Sequence, residues 1–397
     1  MGKEGKAGQS WGSTGPGVLL RLIRTADRWT KSELVRESGL ARTTLIERLD
    51  HLQSAGYVSS NKQPSKTGGR PAETYSFNHL AGYLLVADIG GSHVRVGVTD
   101  LAGTLLATSE NDLDPEDSPE TVLSGVITDL QGLCHQEELD ISRIRAIGVG
   151  VPNSVQQGPL THPEIPGWEN TSVSDAFAQV FPQVPVLVDK DANIMARGEQ
   201  RQSPEKYQNM IVLKVGMGVG CGIVIDGRIL QGAAGEAGSI GHIPRGGTVQ
   251  CSCGQWGCLE AVASGRSIAK TLMDSGQIVH SSRDIVNLVR KRDGQAVELV
   301  RQAGRELGEM LGILAAVMNP SIIIVGGNLA ESPEPLLAGI RESVYGNFLP
   351  SLTSGLEIRP SVVGSAAGLT GAAELALESL LEPARVDDAI AHGQAWR

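Results

Sequence analysis

Between Gly235 and Glu260 the chain reads Gly-Glu-Ala-Gly-Ser-Ile-Gly-His and then, from Cys251, Cys-Ser-Cys-Gly-Gln-Trp-Gly-Cys-Leu-Glu. Three of the five cysteines, Cys251, Cys253 and Cys258, fall here, with His242 just upstream. Three thiols and an imidazole in one short loop make a closed, four-ligand tetrahedral zinc site. With no coordination position left open, such a metal is structural and not a Lewis acid. Gly254 and Gly257 supply the tight turns that a knuckle of this kind needs. Three unrelated thiols are the alternative, and spacing alone does not separate the two.

Length bears on what surrounds this loop. A chain of 397 residues is too long for one core and implies two or three domains. No apolar run approaches the roughly 18 residues that a bilayer span requires, so no membrane partner is expected. Cys134 and Cys221 read as buried free thiols, which together with the clustered cysteines suits a reducing, cytoplasmic compartment. The net charge of −10 is unevenly distributed: up to Asn78 there are twelve Lys/Arg against seven Asp/Glu, a local +5, which leaves −15 on the rest. A basic head on an acidic body points to a polyanionic partner at one end.

Residues 1–17, rich in glycine with scattered lysines, are expected to be a disordered lead-in and not a secretory signal. Apolar residues from Val18 to Ile23 mark a first helix ending near Ala26. Thr30 and Glu33 form a capping box for a second helix, and Gly39 supplies a turn. A third helix starts near Arg42, with Leu45, Leu49 and Leu52 facing inward and Arg42, Thr43, Thr44, Glu47 and Arg48 on the opposite face. Strands at Tyr57–Ser60 and Thr74–Phe77 flank a Gly68-Gly69-Arg70-Pro71 tip. This is the plan of a winged helix-turn-helix over 18–79. Arg42, Thr43, Thr44 and Arg48 are expected to address the major groove of duplex DNA. Gly69 lets the wing approach the minor groove closely, and Arg70 enters its negative potential. A protein-interaction module with a basic loop is the alternative.

The body repeats one pattern twice. A strand to Asp88 turns at Ile89-Gly90-Gly91-Ser92 and returns from His93, and a strand Met210–Val215 turns through Gly216-Met217-Gly218-Val219-Gly220 and returns. Two such glycine turns facing one another describe an α/β actin-like ATPase fold, in which backbone N–H groups point at phosphates. A further strand from Pro185 ends at Asp189-Lys190-Asp191, and a carboxylate at that end of an open α/β sheet sits where ligands bind. The expected division is a small lobe over 80–195, a large lobe with the metal loop over 196–383, and a charged tail over 384–397.

His242 followed by Cys-x-Cys-Gly-x-x-Gly-Cys-Leu-Glu resembles the zinc signature of the ROK family, named for repressors, open reading frames and kinases. The likeness extends over nearly the whole chain. Asp88, Gly90, Gly91, Gly216, Gly218 and Gly220 resemble the family's two phosphate motifs, and Asn319 to Gly327 its adenosine-side segment. The resemblance implies that His242 and Glu260 face a sugar and that Asp191 corresponds to the base that deprotonates a sugar hydroxyl. The head with its Gly-Gly-Arg-Pro wing resembles the family's repressors, whereas its kinases lack it.

Several residues depart from the kinase pattern. Lys190 stands where those enzymes usually carry asparagine. It can only donate hydrogen bonds, and a neighbouring ammonium weakens Asp191 as a base. Ser239 replaces a glutamate, and losing one charge-assisted hydrogen bond costs about 1.5–3 kcal/mol. Met217 replaces a threonine in the second phosphate turn, and Asn153 and Glu164 also differ. Sugar phosphorylation, and ATP as a cofactor, are therefore not expected, and Asp191 is a vestigial base. The reading is a homodimeric or tetrameric transcriptional regulator of carbohydrate metabolism, in which a degenerate sugar-kinase domain senses an effector through Lys190, Asp191, Ser239, His242 and Glu260. That effector is a sugar or a sugar phosphate, the anionic group suited to Lys190. A sugar kinase with an appended DNA-binding head and a DNA-binding scaffold that takes no small ligand are the other readings.

Overall fold

A computed structural model describes residues 15–62, 73–114, 117–152, 168, 171–202, 207–394 and 396. Gly69 and Arg70, with Asn153, Glu164 and residues 1–14 of the lead-in, lie outside the described residues.

The head opens with α1 (Pro16–Ile23), followed by β1 (Trp29–Thr30), α2 (Lys31–Ser38), α3 (Arg42–Ser54), β2 (Val58–Lys62) and β3 (Glu73–Phe77). The Thr30–Glu33 capping box is present, and Gly39 ends α2 with φ 66°, the left-handed conformation that glycine adopts at least cost. Leu19, Leu20, Ile23, Leu34, Leu45, Leu49 and Leu52 form its core with Tyr57 and Tyr75. The strands are ordered β1-β3-β2, all antiparallel. The short β1 carried no signal in the sequence: it is two residues that pair Trp29 with Tyr75.

The first lobe of the body follows as β4 (Tyr83–Ile89), β5 (His93–Asp100), β6 (Leu105–Asp112), α4 (Pro119–Gln136), β7 (Ile144–Val151), α5 (Val173–Val180), β8 (Val186–Lys190) and α6 (Asp191–Arg201). Its sheet runs β6-β5-β4-β7-β8, antiparallel at the hairpins and parallel from β4 through β7 to β8. The second lobe is built from β9 (Met210–Val215), β10 (Val219–Ile225), β11 (Arg228–Ile229), α7 (Glu260–Ala263), α8 (Gly265–Asp274), α9 (Ser282–Arg290), α10 (Gly294–Met318), β12 (Ile322–Gly326), α11 (Pro333–Asn347), α12 (Pro350–Thr353) and β13 (Glu357–Pro360). Its sheet, β11-β10-β9-β12-β13, repeats the first one: an antiparallel hairpin leads into parallel strands. The second glycine turn is shorter than its sequence suggests, because β10 begins at Val219 and Gly220 pairs with Lys214.

The last two helices, α13 (Ala367–Leu380) and α14 (Pro383–Ala391), do not follow the linear division expected from the sequence. Helix α13 packs its Leu369, Ala372, Ala373 and Ala376 with Leu84, Val86 and Ala146 of the first lobe. It lies against α6 backbone to backbone: a Cβ on Gly371 would meet the Ile194 carbonyl at 1.5 Å, and one on Gly198 the Ala367 carbonyl at 2.1 Å. The segment expected to be a charged tail instead packs on the head. Asp387 accepts a hydrogen bond from the Gly17 amide at 2.7 Å, and Trp396 packs against Tyr57 with ring centroids 4.3 Å apart and the planes tilted by 45°.

Candidate functional site

A cleft opens between the lobes where β4, β8 and β9 end. Gly90 and Gly91 line it from the first lobe, and Gly216, Gly218 and Gly220 from the second. Lys190 and Asp191 stand at the end of β8 and the start of α6, and Glu260 opens α7 on the far wall. Gly327 and Asn328, just past β12, complete the wall near the segment that the sequence assigned to adenosine.

Lys214 organises the cleft, and the sequence reading missed it. Its Nζ lies 3.1 Å from Asp88 and 3.0 Å from Asp191, so one ammonium from the second lobe bridges two carboxylates of the first. Burial opposes the charge on Lys214, but Asp191 and Asp88 outweigh it and raise its pKa. Burial raises the pKa of Asp191; Lys214 opposes this rise and Asp88 adds to it. A lysine inside the apolar run Met-Ile-Val-Leu-Lys-Val was the available signal, since an unpaired charge has no place in a buried strand.

Lys190 corrects the sequence reading. Its ammonium was expected beside Asp191, yet Nζ donates to Ser239 Oγ at 2.8 Å and to the Ala237 carbonyl at 3.2 Å. Ser239 in turn donates to the exposed carboxylate of Glu236 at 3.0 Å. Two departures from the kinase pattern, Lys190 and Ser239, thus touch each other: the serine is short enough to leave room for the ammonium. Asp191 is the first residue of α6, Lys190 is the N-cap, and no side chain caps the end.

His93, also missed, is 7% exposed beside the first glycine turn and hydrogen-bonds through Nδ1 to the Asn328 amide nitrogen at 2.9 Å, joining the lobes again. Burial, reinforced by Arg95, lowers its pKa to about 4, so it is neutral at neutral pH and accepts that bond. Glu260 is committed to the protein: one oxygen accepts from the Val219 amide at 3.0 Å and the other from Ser252 at 3.3 Å.

His242 does not line the cleft. With Cys251, Cys253 and Cys258 it forms a cluster whose ligand atoms all lie within 4.8 Å of one another, a set that could hold a metal ion. Gly254 and Gly257 take φ 86° and 70°, as the turns of the knuckle require.

On the head, Arg42 and Thr43 are exposed at the start of α3 and Thr44 is partly buried. Arg48 is not part of that face. It is 9% exposed, because position 48 shares the helical stripe of Leu45, Leu49 and Leu52.

The fold and site define a two-lobed actin-like domain of the sugar-kinase type bearing an N-terminal DNA-binding head. The ROK family model matches residues 85–379, and the chain belongs to the ROK family. A xylose repressor of Bacillus spizizenii is 27% identical over 369 residues, covering 92% of this chain and 95% of its own. A glucokinase of Halalkalibacterium halodurans is 30% identical over 305 residues, covering 72% of this chain and 92% of its own. Among solved structures, a ROK family transcriptional regulator, described as a homologue of the E. coli MLC protein, matches with a TM-score of 0.78 at 25% identity, covering 95% of this chain and 98% of its own. A Streptomyces griseus ROK glucokinase with glucose and AMPPNP matches with a TM-score of 0.64 at 28% identity, covering 74% of this chain and 99% of its own. The matches that extend over the head are thus to regulators, and those to kinases cover the body.

Proposed function

We propose that this chain is a sugar-responsive, DNA-binding repressor of carbohydrate metabolism whose kinase-like body acts as sensor and not as catalyst. The observation that carries the reading is Lys214, which holds Asp88 and Asp191 in one ion-pair cluster between the lobes. A base must be free to take a proton, and the carboxylate of Asp191 is engaged by an ammonium of the opposite lobe. Met217 stands in the second glycine turn and His93 beside the first, where a nucleotide phosphate would lie. No helix among the described residues is long and apolar enough to cross a membrane.

Arg42 and Thr43, with Thr44, read the major groove, and Arg70 of the wing enters the minor groove. Two heads of a dimer, or of a dimer of dimers, address half-sites one or two helical turns apart. An effector alters DNA affinity only by binding two arrangements of the protein unequally. The route is short and stiff: Asp191 begins α6, α6 lies on α13 with no side-chain layer between, and α13 leads into α14 on the head.

The metal of the loop is a structural zinc. Tetrahedral zinc with metal–sulfur bonds of about 2.3 Å needs sulfurs about 3.8 Å apart. Cys253 and Cys258 stand 3.7 Å apart, and Cys251 Sγ lies 3.6 Å from His242 Nδ1. Four protein donors would leave no open position, so His242, Cys251, Cys253 and Cys258 would use a bound ion to shape the loop leading to Glu260.

Footprinting on DNA upstream of the protein's own coding region, with and without a panel of sugars, tests the reading. Protection that a sugar relieves supports it, and failure to protect any duplex overturns it. The glucokinase relatives favour a second reading, that of an active kinase. A coupled ATPase assay with hexoses decides, since turnover on the order of 1 per second or faster belongs to an enzyme.

A further inference from the structure

We infer that the effector of this protein carries an anionic group, a carboxylate or a phosphate on a polyhydroxylated body, and that Lys190 is its counter-ion. The inference rests on the sensor reading above and names the ligand class that the cleft takes. Two lysines line the same cleft. Lys214 carries its counter-ions with it, Asp88 and Asp191 at 3.1 and 3.0 Å. Lys190, only 4% exposed, does not. Among the described residues its ammonium bonds only to a hydroxyl and a carbonyl, Ser239 Oγ at 2.8 Å and Ala237 O at 3.2 Å. Asp189, next in the chain, turns its carboxylate away: Oδ1 accepts from the Lys190 amide at 2.8 Å and from Asn193 at 2.7 Å, and Oδ2 lies 3.6 Å from Arg197. The Glu236 carboxylate reaches the ammonium only through the Ser239 hydroxyl, and Glu236 is exposed, so solvent screens it.

An ammonium has three protons to donate, and two neutral acceptors leave one unused at the cleft wall. Burying an ammonium against neutral acceptors alone is costly, and an anionic partner offsets that cost. Ser239 fixes the direction of the ammonium as much as it accepts from it, because its own proton is committed to Glu236. Arg266 lines the same cleft but stands 3.8 Å from Glu260, so among the described residues Lys190 is the cleft cation without a carboxylate of its own. A neutral sugar leaves the Lys190 charge without an anionic partner, whereas an acid sugar or a sugar phosphate neutralises it.

Two measurements on the full chain test this. In the first, Lys190→Met, of similar length and uncharged, is compared with the unliganded parent by thermal unfolding. A residue kept for a ligand at the expense of stability should give a melting temperature higher by roughly 2 °C. A lower value makes Lys190 a structural strut and overturns the proposal. In the second, glucose, gluconate, glucuronate and glucose 6-phosphate are titrated by calorimetry into both proteins. At least one anion should bind the parent tenfold or more tighter than glucose, and Lys190→Met should erase that preference. Preference for gluconate or glucuronate assigns the carboxylate, and preference for glucose 6-phosphate the phosphate. Equal affinity for neutral and charged members, or an anion preference that survives the substitution, overturns it. If glucose alone binds and relieves operator protection, the sensor reading stands and the anionic effector falls. If no probe binds and the protein ignores DNA, both fall.

Discussion

Lys214 bridges Asp88 and Asp191 across the cleft, and replacing it with methionine exposes what that contact contributes. The substitution keeps the length and apolar stem but leaves Asp88 and Asp191 facing each other without their cation. Their side chains are 5% and 18% exposed, and that of Lys214 is 16%, so water compensates little. Removing one partner of a buried ion pair costs about 3–5 kcal/mol, and the opening of the cleft places this case near the lower end, about 3 kcal/mol. Unfolding as one unit, a chain of this length gains roughly 0.8 kcal/mol per kelvin of entropy, so the melting temperature at pH 8 should fall by about 4 °C. The pH dependence makes the test specific. A carboxyl whose folded pKa lies above its unfolded value adds stability that is present at low pH and lost as pH rises through the folded pKa. Asp191 is already such a group, and without Lys214 its pKa rises further. The deficit of Lys214→Met should therefore shrink between pH 8 and pH 5, and adding Asp191→Asn should remove most of it at pH 8. A melting temperature within 1 °C of the parent at pH 8, or a deficit independent of pH, would refute the reasoning.

The other expectations concern separate parts of the molecule. Elemental analysis should find one zinc per chain, and stripping it with a chelator, or Cys258→Ser, should lower the melting temperature by more than about 5 °C. Arg42→Ala should weaken operator binding by tenfold or more, in the range of about 1–3 kcal/mol for one DNA contact. Arg48→Met should leave that affinity within twofold, because Arg48 is buried at the base of α3; equal losses in a fluorescence-anisotropy titration would contradict the placement. His93, with its pKa lowered to about 4, contributes stability that is present above pH 6.5 and lost as pH falls through 4. In denaturant titrations across pH 7 to 4, His93→Gln should flatten that acid limb, and an unchanged limb would exclude His93 as its source.

Much of this was legible because local chemistry fixed it. The Thr30–Glu33 box, the left-handed Gly39 and the Leu45, Leu49, Leu52 stripe need only neighbours in sequence, and the structure has each of them. That His242, Cys251, Cys253 and Cys258 come together was legible for the same reason: the four fall within 17 residues, and glycines take the turns. What failed depended on direction. Arg48 was placed on the wrong face because a charge was assumed to point outward, although its position, one turn after Leu45 and one before Leu52, put it on the inward stripe.

The cleft shows the limit most clearly. Adjacency in the chain suggested that Lys190 would sit against Asp191, but β8 ends between them: Lys190 takes extended backbone with ψ 142° and Asp191 begins a helix, so their side chains diverge. The ammonium that does meet Asp191 comes from Lys214, 23 positions on and in the other lobe. The C-terminal helices make the same point on a larger scale. Nothing local tells α13 to return to the first lobe, and only its small residues, Gly371 and Ala372 among them, show that it must approach another backbone closely. Because α13 returns there, α14 and Trp396 come to lie on the head. Read as a tail, that segment left the two ends of the molecule without a connection; folded back, it joins the helix that starts at the cleft to the domain that carries Arg42.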